Sequence, residues 1–551
     1  MRNRRGNIGL WLGWAIFAGI VFVPSIWFFV ESIAGVGAET AGMAATAPVD
    51  RGRPLWLLME TIALAGTAAA IALVLGTATG FLTTRIHFPG RRVAFALLLL
   101  PFLIPPYNYA LSWIEWFAPR MLPIDAQQSR SFVYSLPGTA LVLALYLFPW
   151  VHLVAGVAFA SIERHSEEAA RLTMGTVRRL WRITIPLMAG LLALAALFIF
   201  VLGLKNLSIP ETLQQHVFST EIMVAYNILD EMEAALKGAA IAGVAFVALG
   251  VSLWTALRRR RIAIEGLSAP WTAGEGGPPW RNAWAWLPVL AVFALAAVLP
   301  MVSLVRTADG WSNYVTVWNS AHEEAWMGIA TAAKVATVCL VLGYVLAVAV
   351  DRLPHTVAGI TVAAAFLLFA LPSPVLDIGL IHFWNRPAID GPAVLRWLYD
   401  AMAAFYDSPQ MLVLGQTAAY LPIAVLALWL ARRRIDPRMI EAADLAGLPW
   451  HARTFRIVLP SIRGWLIGAW LVVFVLALND VEAAVLLAPA GRPTLSVRVM
   501  TLLHYAPDEH VSALCIIQVV LASVSIGVAA ALILGATFLS KRFGQGRGKR
   551  G

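Results

Sequence analysis

Charge is what this sequence has least of. Asp, Glu, Lys and Arg make up only 13% of its 551 residues against 60% hydrophobic ones, and the mean hydropathy is +0.75. No water-facing surface can be built from so few polar side chains, which excludes an ordinary soluble protein and points to an all-α chain crossing a membrane many times. Cysteine is almost absent. Cys339 and Cys515 lie far apart in apolar runs, which excludes a disulfide framework and a cysteine metal site; both read as small buried apolar residues. Lysine is scarce too: the five are followed by Asn206, Gly238, Val335, Arg542 and Arg550, never by the Ser or Thr that a phosphate-binding P-loop demands. With no H-E-x-x-H and no Cys/His cluster at ligand spacing, no catalytic residue, metal site or cofactor is nominated. His152 and His382, single histidines on apolar helices, read as packed side chains, and Lys334 as one that snorkels outward.

What is abundant is apolar runs of spanning length, about 20 residues for a 30 Å hydrocarbon core. Twelve are expected in two sets of six: 8–30, 55–82, 93–117, 136–161, 187–204 and 236–257, then 283–305, 325–350, 357–383, 411–431, 465–478 and 511–539. The eleventh is short and is expected to begin within 460–464. The first follows a basic start but is long enough to span, so it reads as an uncleaved helix rather than a signal peptide. Tryptophans at run ends, Trp56, Trp113, Trp116, Trp150, Trp384 and Trp397, are expected to form interfacial belts.

The two sets repeat. Leu75-Gly76 to Arg85 matches Leu342-Gly343 to Arg352 at an offset of 267, and Ser219 to Met223 matches Ser496 to Met500 at 277. A drifting offset with the order kept is what a duplication with small insertions produces. The domains expected are 1–257, a cytoplasmic linker 258–282 with its arginine run and Gly/Pro breakers, 283–540, and a basic tail 541–551. With the N-terminus inside, the segments assigned to the cytoplasm hold 29 of the 41 Lys and Arg but 9 of the 31 acidic residues. Both termini are therefore expected in the cytoplasm. The net charge of +10 is read as a topology and lipid-headgroup signal, with no nucleic-acid partner.

Between the tenth and eleventh runs lies Asp436-Pro437-Arg438-Met439-Ile440-Glu441-Ala442-Ala443-Asp444-Leu445-Ala446-Gly447-Leu448-Pro449, closing at Ile457-Val458-Leu459-Pro460. Asp436 suits an N-cap, Pro437 the first helical position, and Gly447 with Pro449 a stop. A surface helix of about ten residues, roughly 15 Å long, is predicted. A second copy, Ser166-Glu167-Glu168-Ala169-Ala170-Arg171-Leu172-Thr173-Met174-Gly175, closes at Pro186. Its glycine falls seven residues after Glu168 rather than six, so its register differs.

The pattern E-A-A-x-x-x-G followed by I-x-L-P resembles the loop signature of permease subunits of ATP-binding-cassette (ABC) importers. The resemblance implies two repeated six-helix domains of the type I fold. It implies helices docked to an ATPase through Glu168, Ala169, Ala170 and Gly175 near 166–175, and through Glu441, Ala442, Ala443 and Gly447 near 437–447. The implied partners are two copies of a cytoplasmic ABC ATPase subunit, a solute-binding protein and membrane lipid. The implied place is a bacterial inner membrane. A fused chain of this length looks most like the ferric-iron group, to which thiamine and aminoethylphosphonate permeases are similar; polyamines are a further alternative. An ion-coupled secondary transporter also has parallel six-span halves, but has no need of paired docking helices.

For the pathway, the external ends of the spans after each docking helix offer Lys205, Asn206 and Glu211 in the first half and Asn479, Asp480 and Glu482 in the second. Asp377, inside an apolar run, is the best intramembrane ionisable candidate, since a charge at that depth faces a cavity or a partner.

Overall fold

The structure, a computed structural model, describes residues 2–27, 52–117, 131–160, 174–175, 178, 180–227, 231–258, 279–385, 393–489 and 491–547. Among them every regular element is a helix. Eight helices are long and apolar enough to cross a membrane: Gly9–Trp27, Leu55–Arg85, Leu136–Phe159, Arg182–Lys205, Trp280–Thr307, Trp311–Arg352, Gln410–Arg432 and Asp508–Val528. Three more are bent pairs, and Lys237–Ser252 is a shorter apolar helix. These twelve features fall one for one on the twelve expected runs.

Three of the expected runs are bent. Arg91–Leu103 and Pro106–Trp116 meet at 95°, Thr356–Ala370 and Ser373–Trp384 at 109°, and Trp450–Ser461 and Arg463–Leu478 at 75°. Proline causes the first two. At Pro105-Pro106 and Pro372-Ser373-Pro374 the chain loses amide donors and gains ring clashes, and the residues before Pro105 and Pro106 are pushed out of the helical region: Ile104 has ψ 122° and Pro105 ψ 145°. The eighth run was also underestimated. Its helix starts at Trp311 and has 42 residues, about 63 Å at 1.5 Å per residue, twice the hydrocarbon thickness.

The chain forms two compact units, one of residues 28–309 and 370–375, the other of 1–27, 310–369 and 376–551. Each unit is built mainly from one sequence half but holds the first helix of the other half. In the second-half unit, Trp14 Nε1 donates to Thr361 Oγ1 at 3.0 Å, and Trp27 meets Phe383 edge to face at 5.5 Å. In the first-half unit, the Tyr109 hydroxyl donates to the Ala296 carbonyl at 3.0 Å, and Ser303 Oγ donates to the Ser112 carbonyl at 2.8 Å. An apolar run records that a helix must be buried, but not against which neighbour, so this exchange left no mark in the hydropathy pattern.

Within the units the repeat recurs as equivalent contacts. A Cβ on Gly76 would lie 2.4 Å from Val151 Cβ and 2.7 Å from the His152 amide nitrogen. One on Gly343 would lie 3.0 Å from Ala424 Cβ. Glycine is what lets Leu55–Arg85 approach Leu136–Phe159, and Trp311–Arg352 approach Gln410–Arg432, backbone to backbone. Both partner helices carry an internal proline, Pro149 and Pro422. Both motif-bearing segments are followed by a π-helical turn, Leu180–Thr184 and Thr454–Val458, placed just ahead of Pro186 and Pro460.

The tryptophans divide. Trp56 and Trp397 are 59% and 69% exposed, as a belt requires, but Trp113 and Trp150 are buried. Trp150 packs edge-on against Phe102 and Phe198 at 4.8 and 5.0 Å, its ring serving the core instead. His152 is buried with Nδ1 2.9 Å from Thr79 Oγ1, Cys339 and Cys515 are buried, and Lys334 is exposed.

Candidate functional site: a surface helix and a buried polar cluster

The second motif forms the helix Pro437–Leu445. An Asp436 carboxylate oxygen accepts from the Arg438 amide at 3.0 Å, satisfying one of the donors that a helix start leaves open. At the other end Gly447 adopts φ +68°, so that its amide reaches the Asp444 carbonyl at 3.0 Å and the Leu448 amide the Ala443 carbonyl at 3.1 Å. This paired closure is the Schellman arrangement, which needs a left-handed residue and hence glycine. The four site residues read from the motif divide by face: Ala443 is buried inward, whereas Glu441, Ala442 and Gly447 are exposed.

The helix stands on a defined mount. Ile435, Val458 and Ile462 form a small apolar cluster with Ala431, against which Ile440 and Trp465 pack. Beneath it the arginines ending helix Gln410–Arg432 are tied down. Arg432 and Arg433 both lie 3.5 Å from Asp351, and Arg433 and Arg434 sit over the rings of Trp429 and Trp465 at 4.7 and 4.6 Å. Burial lowers the pKa of Arg434. Asp444 pairs with Arg453, bracing the helix to the next turn.

Its exposed side chains are mixed: Leu445 is 90% and Met439 47% exposed beside exposed Arg438, Glu441 and Asp444, and on the turns that follow Phe455 is 67% and Trp450 58% exposed. Exposed large apolar side chains among charged ones suit an interaction surface. Sequence reading missed these four. The helix is too short for its periodicity to separate an outward apolar face from an inward one, and only burial distinguishes Ala443 from Leu445.

Of the first motif, Glu168, Ala169 and Ala170 lie outside the described residues. Gly175 is exposed, with open space where a Cβ would stand.

The predicted pathway residues of the second half lie in a buried polar cluster around helix Gln410–Arg432. Asp377, on Ser373–Trp384, is 1% exposed; a Cβ on Gly415 would come within 2.9 Å of its carboxylate. Gln416 Nε2 donates to the Ala477 carbonyl at 2.9 Å. The Tyr420 hydroxyl donates to Asp480 Oδ2 at 2.9 Å, while Asp480 Oδ1 accepts from the Ala483 amide at 3.1 Å, capping the helix Glu482–Leu487. Gly415 and Tyr420 are five residues apart, about 7.5 Å along the axis, so Asp377 and Asp480 meet this helix at different levels. Asn479 is buried. Ser496 Oγ donates to the Leu478 carbonyl at 3.0 Å and accepts from Gln518 Nε2 at 2.7 Å.

The first half repeats the frame with an amide in place of one carboxylate. Asn206 Oδ1 accepts from the Ile209 amide at 3.0 Å, as Asp480 does from Ala483, and Ser219 Oγ donates to the Leu204 carbonyl at 3.1 Å, as Ser496 does to Leu478. Glu211 is exposed on the short helix Ser208–Thr212. Beyond it, Lys237 and Glu221 form a largely buried ion pair at 3.2 Å. Among the described residues no three His, Cys, Asp or Glu side chains gather as a metal-binding group.

Residues 72–260 match the family described as "Binding-protein-dependent transport system inner membrane component". A similar protein is the "Fe(3+)-transport system permease protein FbpB 2" of Haemophilus influenzae, 22% identical over 473 residues, 82% of this chain and 84% of that one. The "Sulfate transport system permease protein CysW" of Escherichia coli is 27% identical over 189 residues, 33% of this chain and 62% of that relative's length. The "Spermidine/putrescine transport system permease protein PotB" of Escherichia coli is 25% identical over 207 residues, 36% of this chain and 74% of that one.

Proposed function

We infer that this chain, an ABC-transporter permease, is the fused membrane component of an importer that receives its solute from a binding protein and is driven by two copies of a cytoplasmic ATPase subunit. The observation that carries the reading is the helix Pro437–Leu445, capped at both ends and mounted on packed arginines, with Met439, Leu445, Trp450 and Phe455 turned outward. It has the shape of an insert for a cleft, with Met439 and Leu445 as apolar contacts beside the charges of Arg438, Glu441 and Asp444. ATP binding and hydrolysis in the partner would push on this rigid handle, and the mount at Asp351 and Arg432 would pass the push to helices Trp311–Arg352 and Gln410–Arg432. Alternating access follows, with both docking helices and both termini in the cytoplasm of an inner-membrane protein. Glu168, Ala169, Ala170 and Gly175 would form the second docking contact.

For the solute we propose ferric iron. The iron-named relative aligns over most of both chains, and the buried carboxylates Asp377 and Asp480 favour a cation over an oxyanion, since negative charge in a low-dielectric setting repels anions. The sulfate-named relative supports a second reading, over a third of this chain. Thiamine, aminoethylphosphonate and polyamines are other cargoes for the same machinery. The test is to isolate the binding protein that co-purifies with the permease and titrate it by calorimetry with ferric ion, sulfate, thiamine, aminoethylphosphonate and spermidine. Tight ferric binding is expected; tight binding of another of these with no affinity for ferric ion ends the iron reading. Uptake by the chain alone, in ATP-free liposomes under an ion gradient, would end the importer reading itself.

A further inference from the structure

We propose that the turn His87–Arg92 is a binding pocket for the phosphate of an anionic phospholipid. The turn follows the span Leu55–Arg85 and precedes the helix Arg91–Leu97. His87, Phe88, Pro89, Gly90, Arg91 and Arg92 line a cavity of about 350 Å³, at the lower end of the roughly 300–1,000 Å³ typical of small-ligand sites. The pocket is built rather than incidental. Phe88, 2% exposed, packs edge-on against Trp286 at 5.6 Å. Asn282 Nδ2 donates to the His87 carbonyl, and Trp286 Nε1 to the Pro89 carbonyl, both at 2.9 Å. Gly90 takes φ +74° and carries no Cβ, which would stand 3.1 Å from the Trp286 ring.

Charge specifies the ligand. Segments 85–97 and 279–290, which make the pocket and its support, contain Arg85, Arg91, Arg92 and Arg281 and no Asp or Glu. His87 Nδ1 is buried and has no hydrogen-bond partner among the described residues.

The rim specifies the source. Leu287, Trp280, Trp284 and Val93 are 78%, 70%, 58% and 57% exposed, on the same segments. Val93 and Leu287 lie near the starts of the bent pair Arg91–Leu103 with Pro106–Trp116 and of the span Trp280–Thr307, so these side chains meet acyl chains and the arginines stand at headgroup level, where the phosphate within reach is a lipid's.

The test is native mass spectrometry of the full-length permease extracted from nanodiscs of equal phosphatidylglycerol and phosphatidylcholine. The wild type is expected to retain phosphatidylglycerol selectively. Arg92→Gln should weaken that retention roughly fivefold, following about 1 kcal/mol per cation near an anionic headgroup, and Arg91→Gln with Arg92→Gln should weaken it further. Arg492→Gln, an exposed arginine in the other unit, makes the same charge change and should have no effect. Because Arg92 is exposed, its single variant keeps the test valid if the double variant fails to fold, which thermal melting reports. Equal retention of the two lipids by the wild type, or equal behaviour of Arg92→Gln and Arg492→Gln, overturns the proposal. So does displacement of phosphatidylglycerol by millimolar inorganic phosphate, which would mark a free-phosphate site.

Discussion

Gly447 allows the docking reading to be tested at one atom. Its φ of +68° costs an L-residue roughly 1–2 kcal/mol, and a Cβ there meets nothing within 4 Å. Gly447→Ala therefore perturbs backbone conformation alone, with no clash to confuse the result. Apparent affinity for a partner scales with the fraction of molecules holding the competent conformation. The largest weakening the strain can produce is then about 5- to 30-fold, at 1.4 kcal/mol per decade. Gly447→Pro goes further. It fixes φ near −65° and deletes the amide that bonds to the Asp444 carbonyl, so the closure cannot form and Trp450 and Phe455 leave their positions. The spans do not depend on this turn, so membrane abundance and melting temperature should stay near wild type. Gly468→Ala, on the helix Arg463–Leu478 with open space around it, is the control, expected neutral or slightly stabilising. The assay is binding of the purified ATPase to permease in nanodiscs, with uptake in cells. Wild-type affinity and uptake from Gly447→Pro would refute the assignment of this loop as the docking element.

Three further outcomes are expected. Gly76→Ala should destabilise by a few kcal/mol, towards the upper end of overpacking costs, because its Cβ meets backbone at 2.7 Å, whereas Gly343→Ala, with contacts no closer than 3.0 Å, should cost less; thermal melting in detergent in the reverse order would contradict the packing described. Tyr420→Phe removes the hydroxyl that donates to buried Asp480 and should lower stability by about 1–3 kcal/mol, with a matching drop in uptake if that carboxylate borders the pathway; a variant that melts like wild type would show the bond to be unimportant. Reporter fusions within 258–281 and after Lys541 should report cytoplasm, and fusions at Gln127 and Asp407 the exterior; an external linker would overturn the assigned orientation of both docking helices.

Local chemistry was the legible part of this chain. Asp436, Pro437 and Gly447 announce a helix start and stop, and the structure places them in those roles, because capping is settled within a few residues. The positions of the apolar runs were legible for a similar reason: burial in lipid depends on composition over about 20 residues. Shape was not. Pro105-Pro106 and Pro372-Ser373-Pro374 were visible, yet runs long enough to span concealed bends of 95° and 109°. The exchanged first helices were hidden altogether, since Trp14 and Ser303 choose partners more than a hundred residues away. The polar cluster was half legible. Asp377 and Asp480 stood out as charges in apolar surroundings, but nothing in the sequence linked Tyr420 to Asp480.

The two halves diverge in a way that bears on which groups act on the solute. Contacts that hold helices together recur in both halves: Gly76 with Gly343, Pro149 with Pro422, and Ser219 with Ser496. The polar groups differ. Counting by the repeat offsets, Ala110 stands where Asp377 does, Leu147 where Tyr420 does, and Asn206 where Asp480 does. Asn206 caps its short helix through the same i+3 amide bond as Asp480. The cap therefore does not explain the carboxylate at Asp480, because a neutral oxygen serves equally well. A buried negative charge is costly, and the fold pattern common to both halves does without it. On the proposed function, the carboxylates of Asp377 and Asp480, with Tyr420 holding one of them, would act on what passes the second half, a role that capping alone does not supply.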